Sequence, residues 1–367
     1  MKNKKIVIAG GTGFIGQALV AHFGKQNQLV VFTRQGVNGH NNAYHHQLLL
    51  PAGGYDVTYR RWDGQHLEKH WTEALENADI VINLAGKSVN CRYTQKNKQL
   101  VTQSRVYATA AIGNAIRQCT QPPKLWVNAA SATIYQHSLE APNDDYTGRI
   151  SHLKKDNMPF SFLDRLRFAC KKTIARMRFG KNHLAYKTLD EDFSVAVCKA
   201  WEDAFAAERT PFTRKVALRT AITLGQGGVM VPYCNLVKWG LGGRQGNGHQ
   251  KISWLHIQDF CNCIEWLYQN KEAEGIYNLA APNAVTNSQF MQTLRTITKH
   301  TIGLPAFTSM LEAGAAVIGT ETELILKSRW VLPARLQKEG FRFQYNTLNN
   351  ALTQIIQASP RKQYHLF

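Results

Sequence analysis

The stretch from Ile6 to Gly16, IVIAGGTGFIG, decides the fold of this chain. An apolar run breaks into the pattern G-x-x-G-x-x-G, formed by Gly10, Gly13 and Gly16, and a segment with helical spacing follows. In this context the first glycine permits a tight turn, the second lets the backbone approach a pyrophosphate, and the third lets the helix pack close to the strand. The free N–H groups at the start of the helix would bind the anion. The stretch therefore predicts a dinucleotide cradle, with a plain strand-to-helix turn as the alternative.

Strand-like and helix-like segments alternate along the first 220 residues. The predicted strands are 5–9, 29–33, 57–62, 80–84, 125–129 and 216–220, and the predicted helices are 16–24, 72–76, 95–119 and 193–207. This alternation is typical of a parallel sheet that is covered on both faces by helices. The sequence therefore predicts an α/β fold, a Rossmann-like doubly wound parallel sheet, which binds its ligand at the carboxyl ends of the strands.

The character of the sequence changes after position 224, where a glycine-rich stretch precedes mixed helical and strand patterns. We predict a dinucleotide-binding domain over residues 1–230, to which 252–280 return. A smaller α+β lobe over residues 231–367 would lie on the carboxyl edge of the sheet.

The bulk composition describes a globular chain with a basic excess. Its 367 residues are 44% hydrophobic and 19% charged, which allows a large core. The sequence lacks an apolar run long enough for a membrane helix, so a cytoplasmic location is expected. Its seven cysteines lack metal-site spacing, so no metal is expected.

Much of the net charge of +19 lies in the segment 149–188, which interrupts the family resemblance described below. It contains eleven lysines and arginines against two aspartates. Three interpretations stay open: a basic amphipathic helix in peripheral contact with an anionic membrane, a lid that attracts an anionic substrate, and a helix with a solvated basic face. Nucleic acid is not expected, because no aromatic platform accompanies the charge.

The end of the second predicted strand indicates which cofactor the cradle binds. It reads Val31-Phe-Thr33-Arg34 and lacks the carboxylate that would bind the ribose hydroxyls of NAD, whereas Arg34 could meet a 2′-phosphate. This favours NADP(H) over NAD(H), although Arg34 could also be a solvated cation. Asp63, after the third strand, is a candidate acceptor for the adenine amino group.

Several longer motifs carry a family resemblance that covers nearly the whole chain. They are GGTGFIG (10–16), NLAGKSV (83–89), SRV (104–106), CKAWEDA (198–204), RTAITLGQGG (219–228), GLGGRQGNGHQKISWLHIQD (240–259), NLAAPNAVTNSQF (278–290) and ILKSRWVLPARLQKEGFRFQYNTLNNAL (325–352). In these motifs the chain resembles the extended, epimerase-like short-chain dehydrogenases/reductases. More narrowly, it resembles the atypical epimerase family proteins that have a small C-terminal domain.

The resemblance implies a sheet of about seven strands, bound NADP(H) and a substrate pocket formed by the C-terminal lobe. With the motifs above, it makes these the expected cofactor-binding residues: Gly10, Thr12, Gly13, Phe14, Ile15, Gly16, Thr33, Arg34, Asp63, Leu84, Ala85, Gly86, Arg105 and Thr223.

The proton-transfer pair of the superfamily, Tyr-x-x-x-Lys, is absent. The matching positions hold Ser194 and Cys198. Ser131 matches the catalytic serine, and Tyr135 is a candidate acid, with a packed tyrosine as the alternative. We therefore expect an NADP(H)-dependent oxidoreductase that acts on a small substrate. The alternatives are a non-catalytic NADP(H)-binding sensor or interaction protein and, less favoured, a nucleotide-sugar epimerase or dehydratase.

His256 invites a catalytic interpretation, because histidine titrates near neutral pH. A structural hydrogen-bonding role at the junction with the C-terminal lobe is the favoured alternative, and Trp254 and Asp259 are expected to fix the same junction.

Overall fold

A parallel sheet forms the centre of the protein in the computed structural model, which describes residues 1–34, 54–151, 193–306 and 327–365. The strands are β1 (Lys5–Ala9), β2 (Gln28–Thr33), β3 (Val57–Arg61), β4 (Ile80–Asn83), β5 (Leu125–Ser131), β6 (Arg214–Thr220), β7 (Ile222–Leu224), β8 (Lys251–Ile252), β9 (Trp254–His256), β10 (Gly275–Leu279) and β11 (Val285–Thr286). The helices of the described ranges are α1 (Phe14–Phe23), α2 (Lys69–Thr72), α3 (Gln95–Gln118), α4 (Phe193–Ala207), α5 (Met230–Lys238), α6 (Ile257–Gln269), α7 (Asn287–Ile297), α8 (Ala334–Lys338) and α9 (Leu348–Gln357).

Seven strands make up the main sheet, in the order β10-β6-β5-β4-β1-β2-β3, and all of them are parallel. The prediction of a doubly wound Rossmann-like sheet is confirmed. The strand order reverses at β1, which has β2 on one side and β4 on the other. A ligand crevice is expected at this reversal, outside the carboxyl ends of the strands.

Each face of the sheet is covered by helices, and the side chains alternate between the two faces. On one face, Ile8 and Val31 pack in a cluster with Leu19 of α1 and Phe260 of α6. On the other face, residues such as Phe32 pack with apolar side chains of α3 and α4. Burial on both faces explains why the central strands are continuous apolar runs.

A third apolar cluster joins β7 and β9 to α5, α7 and α9. Its members include Val237, Trp254, Leu294 and Leu352, all fully buried. Between these elements the chain returns to the main sheet, because α6 packs on α1 and β10 pairs with β6. The division into two domains at residue 230 stays a prediction.

Several boundaries differ from the sequence prediction by one to three residues. The helix predicted at 72–76 begins earlier, at Lys69, and ends as a 3-10 turn over Glu73–Leu75. The strand predicted at 125–129 continues to Ser131, because its pairing with β6 extends to the pair Ser131 and Thr220. This extension places Ser131 at the carboxyl end of the sheet.

In the described part of the chain, none of the helices has the length and apolar character needed to cross a membrane. The basic segment 149–188 lies outside the described residues from position 152 onward, so the interpretations of its role stay predictions.

Candidate cofactor and active site

The turn after β1 is so tight that two of its glycines leave no room for a side chain. Gly10 has a φ of +80°, and a Cβ on it would lie 2.9 Å from the carbonyl carbon of Leu84. A Cβ on Gly16 would lie 2.4 Å from the Cα of Gly11, where helix and turn touch. Gly13, between them, would bring a Cβ only to 3.4 Å from the Gly10 oxygen. A side chain would therefore clash with the protein at Gly10 and at Gly16, whereas Gly13 has room for one.

The first turn of α1 has no capping side chain. Gly13 is the N-cap residue, and no side chain accepts a hydrogen bond from the N–H groups that follow it. Such N–H groups form a site for anions at a helix start. Thr12 is exposed, Ile15 packs against the core, and Phe14 lies against the Gly225–Gly228 loop. Among the predicted cradle residues, Thr12 is therefore accessible, whereas Phe14 and Ile15 pack the start of the helix against the protein.

The end of β2 brings Thr33 and Arg34 to the same edge of the sheet. Thr33 is buried, and Arg34 is exposed. Asp63, which follows β3, holds its own turn, because its carboxylate accepts from the N–H groups of Gln65 and His66 and bonds the His66 ring. Slight burial acts to raise the pKa of Asp63, but the hydrogen bonds from His66 and Gln65 outweigh it and lower the pKa to about 2. Asp63 is therefore a fixed, charged acceptor at the rim.

A buried amide network that the sequence prediction missed shapes the turn after β4. The side-chain oxygen of Asn83 accepts from the N–H of Ala85 at 3.1 Å. Its amide nitrogen donates to Asn128 at 2.7 Å and to Thr109 at 3.3 Å. Trp201 of α4 also donates to the Thr109 hydroxyl, at 3.2 Å. The signal in the sequence is that asparagines occur in otherwise apolar strands, Asn83 at the end of β4 and Asn128 within β5.

This network sets the path of Leu84, Ala85 and Gly86, all predicted to line the cofactor. The N–H of Leu84 donates to the Ala9 carbonyl at 2.9 Å, which carries the turn alongside the glycine loop. Gly86 lies against Arg105, whose guanidinium donates to the carbonyl of Lys87 at 3.0 Å and to that of Val101 at 2.9 Å.

Two of the predicted cofactor neighbours have local hydrogen-bonding roles. The guanidinium of Arg105 also stacks on the ring of Trp201, with its central carbon 5.0 Å from the ring centroid. Arg105 therefore stabilises the segment that follows β4. The hydroxyl of Thr223, in β7, donates to the carbonyl of Ala221 at 3.3 Å.

Ser131 lies at the end of β5, in a chain of small polar groups. Its hydroxyl accepts from the N–H of Thr133 at 3.2 Å and donates to the Thr133 hydroxyl at 3.0 Å. Cys198, which occupies the position of the lost lysine, is buried on α4. Burial, together with nearby Glu202, raises the pKa of Cys198 to about 12. The thiol is therefore neutral at physiological pH and cannot act as a base.

Ser194 occupies the position of the lost tyrosine, one turn before Cys198 on α4. Its hydroxyl is buried and has no hydrogen-bond partner among the described residues. The neighbouring Lys199 is exposed, as expected for a surface cation. In the part of the site that the structure describes, the superfamily pair is thus replaced by a hydroxyl and a neutral thiol.

The hydroxyl of Tyr135 lies inside the protein, in a network of its own. The side chain is 1% exposed, and its oxygen lies 2.9 Å from both Asn278 and the Arg219 guanidinium. Arg219 in turn makes two parallel bonds to Glu202, at 2.8 and 2.7 Å. Burial raises the pKa of Tyr135, against the opposing effect of Arg219. These contacts are those of a packed tyrosine that joins β5, β6, β10 and α4.

His256 caps helix α6 and joins it to α9. Its Nδ1 accepts from the N–H of Gln258 at 3.1 Å, its Nε2 lies 2.9 Å from the side-chain oxygen of Gln354, and its ring stacks on Tyr345. Because Nδ1 is an acceptor, Nε2 carries the proton and the ring is neutral. Burial lowers the pKa of His256 accordingly. These contacts fit the structural hydrogen-bonding role that was the alternative to a catalytic His256.

Asp259 and Trp254 make further bonds at the same junction. The Asp259 carboxylate accepts from the N–H groups of Gln344 and Tyr345, at 2.7 and 3.0 Å. The indole of Trp254 donates to the carbonyl of Asn283 at 2.9 Å.

Two family profiles match parts of the sequence. Residues 6–161 match the NAD dependent epimerase/dehydratase family, and residues 309–355 match a C-terminal domain of unknown function, DUF1731. The chain therefore carries a segment that matches the NAD dependent epimerase/dehydratase family, followed by a segment that matches DUF1731. This confirms the resemblance inferred from the motifs.

Relatives described as epimerase family proteins align along nearly the whole chain. It is 28% identical over 356 residues to the epimerase family protein YfhF of Bacillus subtilis (strain 168), an alignment that covers 96% of this chain and 97% of YfhF. It is also 28% identical over 358 residues to the epimerase family protein MW0731 of Staphylococcus aureus (strain MW2), covering 96% of this chain and 99% of that protein.

Solved structures share the fold. The human epimerase family protein SDR39U1 (isoform 2), crystallised with NADPH, is 25% identical, with a TM-score of 0.68 over 96% of this chain and 99% of that one. A nucleoside-diphosphate sugar epimerase from Corynebacterium glutamicum is 20% identical, with a TM-score of 0.61 over 97% of this chain and 58% of the other. The second likeness shows the fold alone.

Proposed function

We propose that this chain binds NADP(H) and acts as an NADP(H)-dependent oxidoreductase on a small, anionic substrate. The observation that carries the proposal is the glycine cradle next to a strand end that has an arginine and lacks a carboxylate. The human relative crystallised with NADPH supports the choice of NADP(H) over NAD(H). The basic excess of the chain supports an anionic substrate.

The residues of the crevice fit a dinucleotide. A Cβ at Gly10 or Gly16 would clash with the backbone of Leu84 or Gly11, so the tight turn needs glycine at both positions. The uncapped N–H groups of α1 suit a pyrophosphate. Thr33 and Arg34 would hold the 2′-phosphate, and the turn from Leu84 to Gly86 would line the ribose and nicotinamide. The bound cofactor would supply or accept a hydride.

The residues next to the nicotinamide end would orient the substrate rather than remove its proton. Ser131 and Thr133 form a pair of hydroxyls, one of which can donate to a substrate oxygen. The neutral Cys198 thiol is a further weak donor behind Ser131. Because Tyr135 is bonded to Arg219 and Asn278, we assign it to positioning, and water would carry the proton.

A second candidate function is NADP(H) binding without turnover, as a sensor or interaction protein. The specific observation in its favour is the replacement of the proton-transfer pair by Ser194 and Cys198, with Cys198 neutral. Without a group that titrates near neutral pH beside the substrate, general acid-base catalysis loses its usual contribution.

One experiment separates the two functions. The NADPH-loaded protein is mixed in a stopped-flow instrument with a panel of aldehydes, ketones, quinones, keto acids and sugar nucleotides, and absorbance at 340 nm is followed. Rapid oxidation by one class, slowed in Ser131→Ala, would support the enzyme. Tight NADPH binding with no oxidation by any member of the panel would support the sensor, and failure to bind NADPH would contradict both.

A further inference from the structure

Arg61, the last residue of β3, lies beside the proposed site of the 2′-phosphate. Strand β3 runs parallel to β2, and the register pairs Arg61 with Thr33. Both residues therefore end their strands at the carboxyl edge of the sheet, next to Arg34. No motif of the sequence marks Arg61, because the pairing depends on where β3 lies against β2.

The alternation of side chains places Arg61 on the face of α1. Leu29 and Val31 of β2 pack in the cluster under α1, and their partners Val57 and Tyr59 pack against the same cluster. Thr33 and Arg61 continue these two rows by one step, since residues two apart in a strand share a face. The face they occupy is the one on which α1 begins with its uncapped N–H groups.

Arg60 points to the opposite face. Its strand partner, Phe32, packs in the cluster under α3, and Arg60 lines a small cavity of about 200 Å³ with Val30 and His70. The two adjacent arginines are both exposed, but they lie on opposite sides of the sheet. Arg60 is a matched control for any effect of Arg61.

In the part of the chain that the structure describes, carboxylates do not neutralise the positive charge at this edge. Within the described ranges, neither Arg34 nor Arg61 forms an ion pair with a carboxylate. The acidic side chain that follows β3, Asp63, is engaged by His66 and two backbone N–H groups. Two guanidinium groups at one edge of the sheet, without a carboxylate partner among the described residues, suit a dianionic phosphate, which accepts several charged hydrogen bonds at once.

We propose that Arg61 is a second ligand of the 2′-phosphate of NADP(H), acting with Arg34 to select NADP(H) over NAD(H). This inference rests on the proposed binding of NADP(H). In NAD(H) a hydroxyl takes the place of the phosphate, so Arg61 would add little to the affinity for NAD(H).

The test compares wild type, Arg61→Ala, Arg34→Ala and Arg60→Ala in fluorescence titrations with NADPH and NADH. A fragment pair, 2′,5′-ADP against 5′-AMP, isolates the phosphate contribution. We expect Arg61→Ala to weaken the binding of NADPH and of 2′,5′-ADP about tenfold or more, because it removes a charged hydrogen bond. The affinity for NADH and for 5′-AMP should change by less than about twofold. Arg60→Ala should match wild type for all four ligands, and circular dichroism checks that each variant is folded.

Three outcomes would overturn the inference. In the first, Arg61→Ala keeps the wild-type preference for NADPH. In the second, it weakens the binding of NADPH and of NADH equally. In the third, Arg60→Ala weakens NADPH binding as much as Arg61→Ala does. Failure of the proposed function looks different, because wild type itself would then bind neither cofactor or would prefer NADH.

Discussion

The three glycines of the cradle have different physical roles. A Cβ on Gly16 would meet the Cα of Gly11 at 2.4 Å, so backbone atoms must move. A Cβ on Gly13 would meet only the Gly10 oxygen, at the ordinary distance of 3.4 Å. The structure thus separates Gly16, where a side chain would displace backbone, from Gly13, where a side chain has room and where we propose that the pyrophosphate lies.

Gly16→Ala is expected to lower the free energy of unfolding by about 1–3 kcal/mol, the usual range for overpacking. Gly13→Ala is expected to keep wild-type stability within about 0.5 kcal/mol and to weaken NADPH binding, since the new methyl group would stand between backbone and pyrophosphate. Urea denaturation and NADPH titration of both variants check this. Equal destabilisation by the two substitutions would contradict the assignment.

Tyr135 is the residue for which structure and catalytic prediction differ most. Its hydroxyl bonds Arg219 and Asn278, which lie 84 and 143 positions away in the sequence. Sheet pairing alone brings these residues together, so no local motif could reveal that the hydroxyl is already engaged. The glycine loop, in contrast, could be predicted because its function depends on residues within one turn of each other.

Tyr135→Phe leaves the buried Arg219 and Asn278 without one partner. We expect it to lower the free energy of unfolding by about 1–3 kcal/mol and to leave the Kd for NADPH unchanged. Tyr146→Phe, at an exposed tyrosine, is the control and should match wild type in urea denaturation. If Tyr135→Phe had wild-type stability but abolished single-turnover oxidation of NADPH, Tyr135 would be an acid and the positioning role would be wrong.

At the scale of elements, strand β4 and its turn are held by groups on three neighbours. Asn83 bonds Asn128 of β5 and Thr109 of α3, and Trp201 of α4 bonds Thr109. The existence of β4, β5, α3 and α4 could be predicted from periodicity. The coupling between them could not, because hydrogen-bond partners across a sheet depend on register and helix rotation.

Asn128→Ala tests this coupling. The amide of Asn83 would lose its shorter bond, so the free energy of unfolding should fall by about 1–3 kcal/mol. Because Asn83 also holds the N–H of Ala85, the turn that lines the cofactor should loosen, and the Kd for NADPH should rise. Asn90→Ala, an exposed neighbour, should change neither quantity. An Asn128→Ala variant that is destabilised but has the wild-type Kd would show that the turn does not depend on the network.

At the scale of the whole molecule, His256 connects α6, which packs on the main sheet through α1, to α9 of the third apolar cluster. The stability of this connection depends on pH. Burial lowers the pKa of His256, so the unfolded chain binds the proton more readily than the folded one. The stabilising contribution of the neutral ring is fully present above the unfolded pKa, near 6.5, and is lost as the pH falls toward the folded value. Burial lowers the pKa of His22 and His137 as well, so wild type should lose stability in the same window.

His256→Asn isolates the contribution of this residue. Asparagine still caps α6 but loses the bond to Gln354 and the stacking on Tyr345, so we expect a destabilisation of about 1–3 kcal/mol at pH 7.5. At pH 5.5 the difference from wild type should be smaller, because wild type alone loses the contribution of the neutral ring. Urea denaturation of both proteins at the two pH values measures the change, and a difference that stayed constant or grew at pH 5.5 would contradict a neutral His256. A smaller difference at pH 5.5 would mean that the junction between α6 and α9 weakens on acidification because His256 is protonated.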